Sequence, residues 1–209
     1  MTKFRAVIFT ATLTAFILFS SSVCIAQFEK QNLSHFEKII VSPHIELILE
    51  QGEEESVVIQ DSRLDLEKIN IKVVGNTLRI YLDDAKTITK YKKKNEEVQN
   101  WNSPMYSGKM LTVQVTYKSL KKLSVRGEEV TILNEISAKK FRLKLFGEVK
   151  MQFASMNVGK LKTSLYGENG VFINGGTVDN QILNCYGENK VDSRNFISRK
   201  TKTNSFGES

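Results

Sequence analysis

From about residue 36 onward the chain alternates apolar and polar positions with a period of two, in short runs. "HIELILEQ" alternates Ile45, Leu47 and Leu49 with polar or differently facing residues; "SVVIQ" and "INIKVV" follow, and "TLRIYL" resumes the alternation after Gly75-Asn76. A β-branched, period-2 pattern broken by Gly-Asn or Gly-Glu predicts strands joined by hairpins. No stretch beyond the first 26 residues carries a convincing helical period. The alternation lapses over residues 83–109, a polar segment holding Trp101 and Pro104, and restarts at "MLTVQVTY". A loop of that length is uncommon in a compact domain and marks a functional or mobile segment. Its basic run at residues 90–97, "KYKKKNEE", reads as a solvated loop whose own acids offset it.

The second half of the chain adds a longer period to the short one. "VRGEEV" places Gly127 and Glu128, "LFGEVK" Gly147 and Glu148, "LYGENG" Gly167 and Glu168, "CYGENK" Gly187 and Glu188, and "SFGES" Gly207 and Glu208, every step being 20 residues. Phe146, Tyr166, Tyr186 and Phe206 precede four of the pairs, and Arg126 precedes the first. Such self-similarity is the signature of a repeat architecture. Each unit reads strand, glycine turn, strand, and cannot bury its apolar face alone, so neighbouring units must stack into one core. The expected fold is all-β: a β-solenoid of 20-residue coils over residues 119–209, with a strand-rich part over residues 27–118 stacked on it.

Strand geometry then assigns directions. Phe141, Leu143 and Leu145 are apolar while Arg142 and Lys144 are charged, so the first set faces the core. Leu161, Thr163 and Leu165 follow one coil on, and then Gln181, Leu183 and Cys185. The aromatics fall on the other parity and face outward or sit at a corner, while the adjacent glycines permit the positive φ of a tight turn. Apolar residues resume after the turn at Val149, Met151 and Phe153, then at Val171 and Ile173. In the first repeat Val130 and Ile132 are one residue out of step, which predicts a bulge or an altered corner.

Composition changes this picture in one respect, its compartment. Of 209 residues, the first 26 read as an export signal: Lys3 and Arg5, the apolar run "AVIFTATLTAFILF", and "CIA" before Gln27. A lipid anchor on Cys24 fits less well, with Val23 where a small residue belongs and Ser21 where Leu belongs. Removing the leader leaves no transmembrane candidate, one cysteine (Cys185) and no intramolecular disulfide. It also leaves 28 basic and 23 acidic residues, a mild and scattered excess that, with export, argues against nucleic acid as partner.

The opening "FEKIIVSPHIELILEQGEEESVVIQ", the junction "VTYKSLKKLSVRGEE" and the serial "YGE" turns resemble the head GIN domain family, auto-transporter adhesins of Gram-negative bacteria. The resemblance runs from about Phe36 to the end. It implies an exported β-solenoid without established enzymatic activity and with a surface role. Many members carry Ser-Gly-Ser-Gly turns where this chain has aromatic-Gly-Glu, so ligand properties do not carry over through those turns. Members of this type usually continue through further coils. This chain stops at Ser209, where each earlier coil enters its second strand, so the repeats are expected to be incomplete or their open end to be covered by another chain.

Stacking turns the triplets into columns, of aromatics (Phe146, Tyr166, Tyr186, Phe206) and of carboxylates (Glu148, Glu168, Glu188). Carboxylates about 5 Å apart repel by ~1 to 3 kcal/mol per pair at intermediate dielectric before screening. The expected arrangement is that they splay into water and pair with nearby lysines such as Lys144, Lys162 and Lys202; otherwise they share a divalent cation, or accept hydrogen bonds from a glycan or peptide lying along the aromatics. The cation reading lacks any Asp-rich loop, and neither a metal nor a cofactor is expected.

Neighbouring glutamates would meet the carboxylate spacing of a retaining glycosidase through strand geometry alone, and a regular column does not push two pKa values apart. His35 and His44 precede the repeats, and Cys185 has core parity. These features predict a non-enzymatic binding or adhesion module of the cell envelope. A glycan-active enzyme or its carbohydrate-binding accessory domain is the alternative, and a structural scaffold the third reading. The expected partners are a polysaccharide, an envelope or surface protein, or a second copy meeting the aromatic face or the open end.

Overall fold

The computed structural model describes residues 30–85 and 106–207. The expected leader, the basic run at residues 90–97 and Trp101 lie outside the described residues. The described strands are β1 (Gln31–Asn32), β2 (Lys38–Val41), β3 (Ile45–Gln51), β4 (Ser56–Ser62), β5 (Ile69–Val74), β6 (Thr77–Leu82) and β7 (Leu111–Tyr117). They continue as β8 (Lys122–Gly127), β9 (Val130–Gly147), β10 (Lys150–Gly167), β11 (Gly170–Ile173), β12 (Gly176–Tyr186), β13 (Lys190–Asp192) and β14 (Phe196–Phe206). Among the described residues the only helical turn is a 3-10 turn at Leu66–Lys68.

The chain is a β-solenoid. Strand β10 pairs in parallel with β9 at a constant offset of 20, Leu161 beside Phe141 and Gly167 beside Gly147, and pairs with β12 at the same offset, Leu161 beside Gln181. Strands β12 and β14 repeat the relation, as do β11 and β13. Each coil thus carries a row of inward side chains that stacks on the next. Phe141, Leu143 and Leu145 are buried, as are Leu161, Thr163 and Leu165. Cys185 is buried too, and burial pushes its thiol above the ordinary range. The inward row becomes polar toward β14, where Thr201, Thr203 and Ser205 stand beside Gln181, Leu183 and Cys185.

The same stacking continues through the N-terminal part, in an order that the chain does not follow. Strands β2 and β3 form a coil whose members pair in parallel with β8 and β9, Ile39 beside Leu123 and Leu47 beside Thr131. On its other side the coil pairs in parallel with β6 and β7. The coil formed first in the chain is therefore sandwiched between two formed later. Antiparallel strands close this end of the stack: β5 pairs with β6 through the Gly75-Asn76 hairpin, β4 with β7, and β1 with β4. The two ends of the 83–109 segment meet, since the Tyr106 hydroxyl donates to Asp83 O at 2.8 Å.

The bulge expected at Val130 and Ile132 is not formed, because β9 keeps its offset of 20 against β10 from Val130 to Gly147. The inward residues are Thr131 and Leu133, both fully buried, and Ile132 is half-buried on the outer side beside Ile48. A threonine at a core position is what disguises the register. A register shift lies elsewhere, between Ile59 and Asp61 in β4.

Candidate functional site

The corner of each coil is built from three residues with separate tasks: glycine, glutamate, and a buried third residue. Gly167 has φ +109°, a conformation that costs an L side chain but not glycine. It also lies so close to the preceding coil that a Cβ there would collide with Gly147 O. That carbonyl is in use, accepting a hydrogen bond from Glu168 N at 2.8 Å, and Gly127 O accepts one from Glu148 N at 2.9 Å. The turn thus spends the glutamate backbone on joining coils and leaves its side chain outside. Gly127, Gly147, Gly187 and Gly207 share the positive φ.

The third position was not singled out by sequence reasoning, although Asn169 and Asn189 repeat there at the same period. Both are buried. Asn169 Oδ1 accepts from Val149 N at 3.2 Å, and Asn189 Oδ1 accepts from Asn169 N at 3.1 Å and Asn169 Nδ2 at 3.0 Å. The side-chain amides therefore satisfy backbone donors that the turn removes from the strand ladder. In the first coil Glu129 fills this place: its side chain is buried, accepts from Glu128 N at 3.0 Å, and lies 3.6 Å from His44 Nδ1. His44 itself has φ +70° and donates through Nδ1 to Gly108 O at 2.8 Å, a structural role at a corner.

On the outer surface the four aromatics form one ladder. Phe146 and Tyr166 stack with centroids 4.9 Å apart and planes 6° from parallel, Tyr166 and Tyr186 at 4.9 Å and 3°, and Tyr186 and Phe206 at 5.3 Å and 4°. Arg126, one rung earlier, places its guanidinium 5.2 Å from the Phe146 centroid and extends the column with a cation. Tyr166 is 36% exposed, Tyr186 39% and Phe206 63%. Because the rings lie on one another, the ladder presents edges and tyrosine hydroxyls to solvent, and its outermost ring face is that of Phe206.

Beside it, Glu148, Glu168 and Glu188 are all exposed at successive corners. Among the described residues none of the three makes an ion pair, so the expected pairing with Lys144, Lys162 and Lys202 is not formed. The reason is position. Lys144 and Lys162 stand two and four residues before the ring positions of their own strands, across the sheet face from the corner.

A parallel β-solenoid carrying an exposed aromatic ladder and a carboxylate row defines a repeat module with an extended surface. The chain belongs to the family described as "Putative auto-transporter adhesin, head GIN domain", whose model matches residues 35–209. Solved structures share the fold. A putative adhesin from Bacteroides fragilis is 18% identical with a TM-score of 0.64, over 86% of this chain and 75% of that one. One from Parabacteroides merdae is 14% identical with a TM-score of 0.56, over 86% and 77%. A protein from Parabacteroides distasonis, described as a putative lipid binding protein, is 17% identical with a TM-score of 0.56, over 87% and 79%. No curated protein matches the sequence.

Proposed function

We propose that the chain is an exported, non-enzymatic binding module of adhesin type, and that it meets a polysaccharide or a surface protein of the cell envelope through its aromatic ladder and glutamate row. The observation that carries this is the ladder itself: four aromatics held in register on an outer face, three of them more than a third exposed. An exposed apolar row on a soluble surface marks a contact face. Its form constrains the contact. A ligand meets ring edges, hydroxyls and carboxylates repeated about every 4.8 Å, which suits an elongated ligand with hydroxyl or amide donors better than one that needs a free ring face.

The non-enzymatic reading rests on the family and on the sameness of the glutamates. Glu148, Glu168 and Glu188 share one exposed setting, whereas acid–base chemistry needs two carboxyls in contrasting environments. The export reading rests on the leader-like first 26 residues and the adhesin family. No helix among the described residues is long and apolar enough to cross a membrane.

A panel of envelope and host polysaccharides, assayed for both retention of the protein and release of reducing ends, tests the proposal. Retention without release is expected. Release of reducing ends would make the protein a glycan-active enzyme, and failure to retain any polysaccharide or envelope protein would leave it a scaffold.

A further inference from the structure

The sheet face that ends in the aromatic ladder begins in a different chemistry. At the first outward position of successive rungs, Lys38 stands beside Lys122, Lys122 beside Arg142, and Arg142 beside Lys162. Four cations are thereby held in a row at a spacing of about 4.8 Å. Lys139, Lys140 and Lys160, two or three residues earlier in the same strands β9 and β10, add three more. Among the described residues no ion pair reaches any of the seven; Lys121 alone in this region has a carboxylate partner, Glu37 at 2.5 Å. Burial lowers the pKa of Lys122, and the positive charges of Lys144, Arg142, Lys38 and Arg126 lower it further.

These cations rim a cleft of about 890 Å³ whose lining includes no Asp or Glu. Its floor is apolar: Ala138 and Ile182 are accessible there, while Leu120, Phe141 and Leu161 also line it and are almost wholly buried. Ile182 occupies the position next to Lys162 in the cation row and is 40% exposed, so the row turns hydrophobic where the cleft continues. The size is that of a small-molecule site.

We propose that this cleft binds a single anionic amphiphile, an acyl chain ending in a carboxylate or phosphate. Two features select that class together. The apolar floor rewards a hydrocarbon body, and the acid-free cationic rim rewards a negative head group through charge-assisted hydrogen bonds. A neutral glycan leaves the rim unanswered, and a polyanion without hydrocarbon leaves the floor unused. The cleft lies four residues along the strand from the aromatic ladder, about 13 Å away, so this inference stands independently of the proposed adhesive surface.

Calorimetric titration of the purified protein with laurate and with dodecyl phosphate, both below their micelle concentrations, tests it. Binding is expected, with affinity falling at least tenfold in K140S/K160S/K162S, whose lysines are exposed, and falling also in I182S. Affinity should drop further as salt rises. Dodecyl maltoside binding as tightly as laurate would overturn the role of the rim. Dextran sulfate binding as tightly, with I182S unaffected, would overturn the amphiphile in favour of a polyanion. Adsorption to phosphatidylglycerol vesicles without binding of laurate or dodecyl phosphate would make the region a membrane-contact patch and would equally contradict a single-molecule site.

Discussion

The Arg126 guanidinium lies 5.2 Å from the centroid of Phe146 and closes the inner end of the aromatic ladder. Each rung beyond it presents a ring to the next at 4.9 to 5.3 Å. Arg126 thus occupies the place of a fifth ring and binds the first one electrostatically. Replacing it with Ala should destabilise the fold by about 0.5 to 2 kcal/mol, the range of a cation over an aromatic face. Replacement by Tyr should recover that loss by continuing the stack. The midpoint of urea unfolding reads both, and an Ala variant as stable as the parent would show that the cation contributes nothing.

Gly167 carries the tightest requirement of the corner. Gly167→Val forces a β-branched residue to positive φ and drives its Cβ into Gly147 O. Positive φ alone costs on the order of 1 to 3 kcal/mol, and the collision adds to it. A clear fall in melting temperature is expected. An unchanged one would mean that the corner relaxes at no cost.

The buried polar atoms of the coils should behave in opposite ways. Asn169→Val removes the acceptor of Val149 N, leaving a buried donor unpaired at about 1 to 3 kcal/mol. Thr131 Oγ1 is buried with no hydrogen-bond partner, so Thr131→Val keeps the shape and removes an unsatisfied hydroxyl. It should be neutral or stabilising by up to about 1 kcal/mol. Chemical denaturation of both variants checks the contrast; loss of stability in T131V would point to a partner for that hydroxyl.

Cys185 offers a probe of local opening. It is 3% exposed and its thiol is held above the ordinary range by burial, so both access and thiolate formation are suppressed. Alkylation by iodoacetamide should be slow in the native protein and become fast in urea. Rapid native alkylation would show that the coil containing Cys185 opens readily.

The two halves of the fold were unequally legible in the sequence. From Gly127 onward successive rungs follow one another in the chain, so a spatial neighbour is always 20 residues away and the period appears directly. In the N-terminal half Leu47 has Val113 on one side and Thr131 on the other, and no constant period connects such neighbours. Alternation there reveals strands but conceals the coils they build. The corner glycines and outward aromatics were legible because φ and strand parity are local properties. The asparagine ladder was written in the sequence at Asn169 and Asn189, yet a polar residue beside a glycine turn reads as exposed until the coils are stacked. Thr131 misled for the complementary reason, a polar residue with core parity flanked by Val130 and Ile132.

The central claim is that the ladder serves contact as well as packing. Retention of the protein on whole cell-envelope fractions, compared between the parent and Y166A/Y186A, addresses it most directly, with circular dichroism recorded on both. The account predicts that the variant keeps its β spectrum, since both rings are more than a third exposed, and loses retention. A folded variant retained as well as the parent, or a variant that unfolds outright, would contradict it.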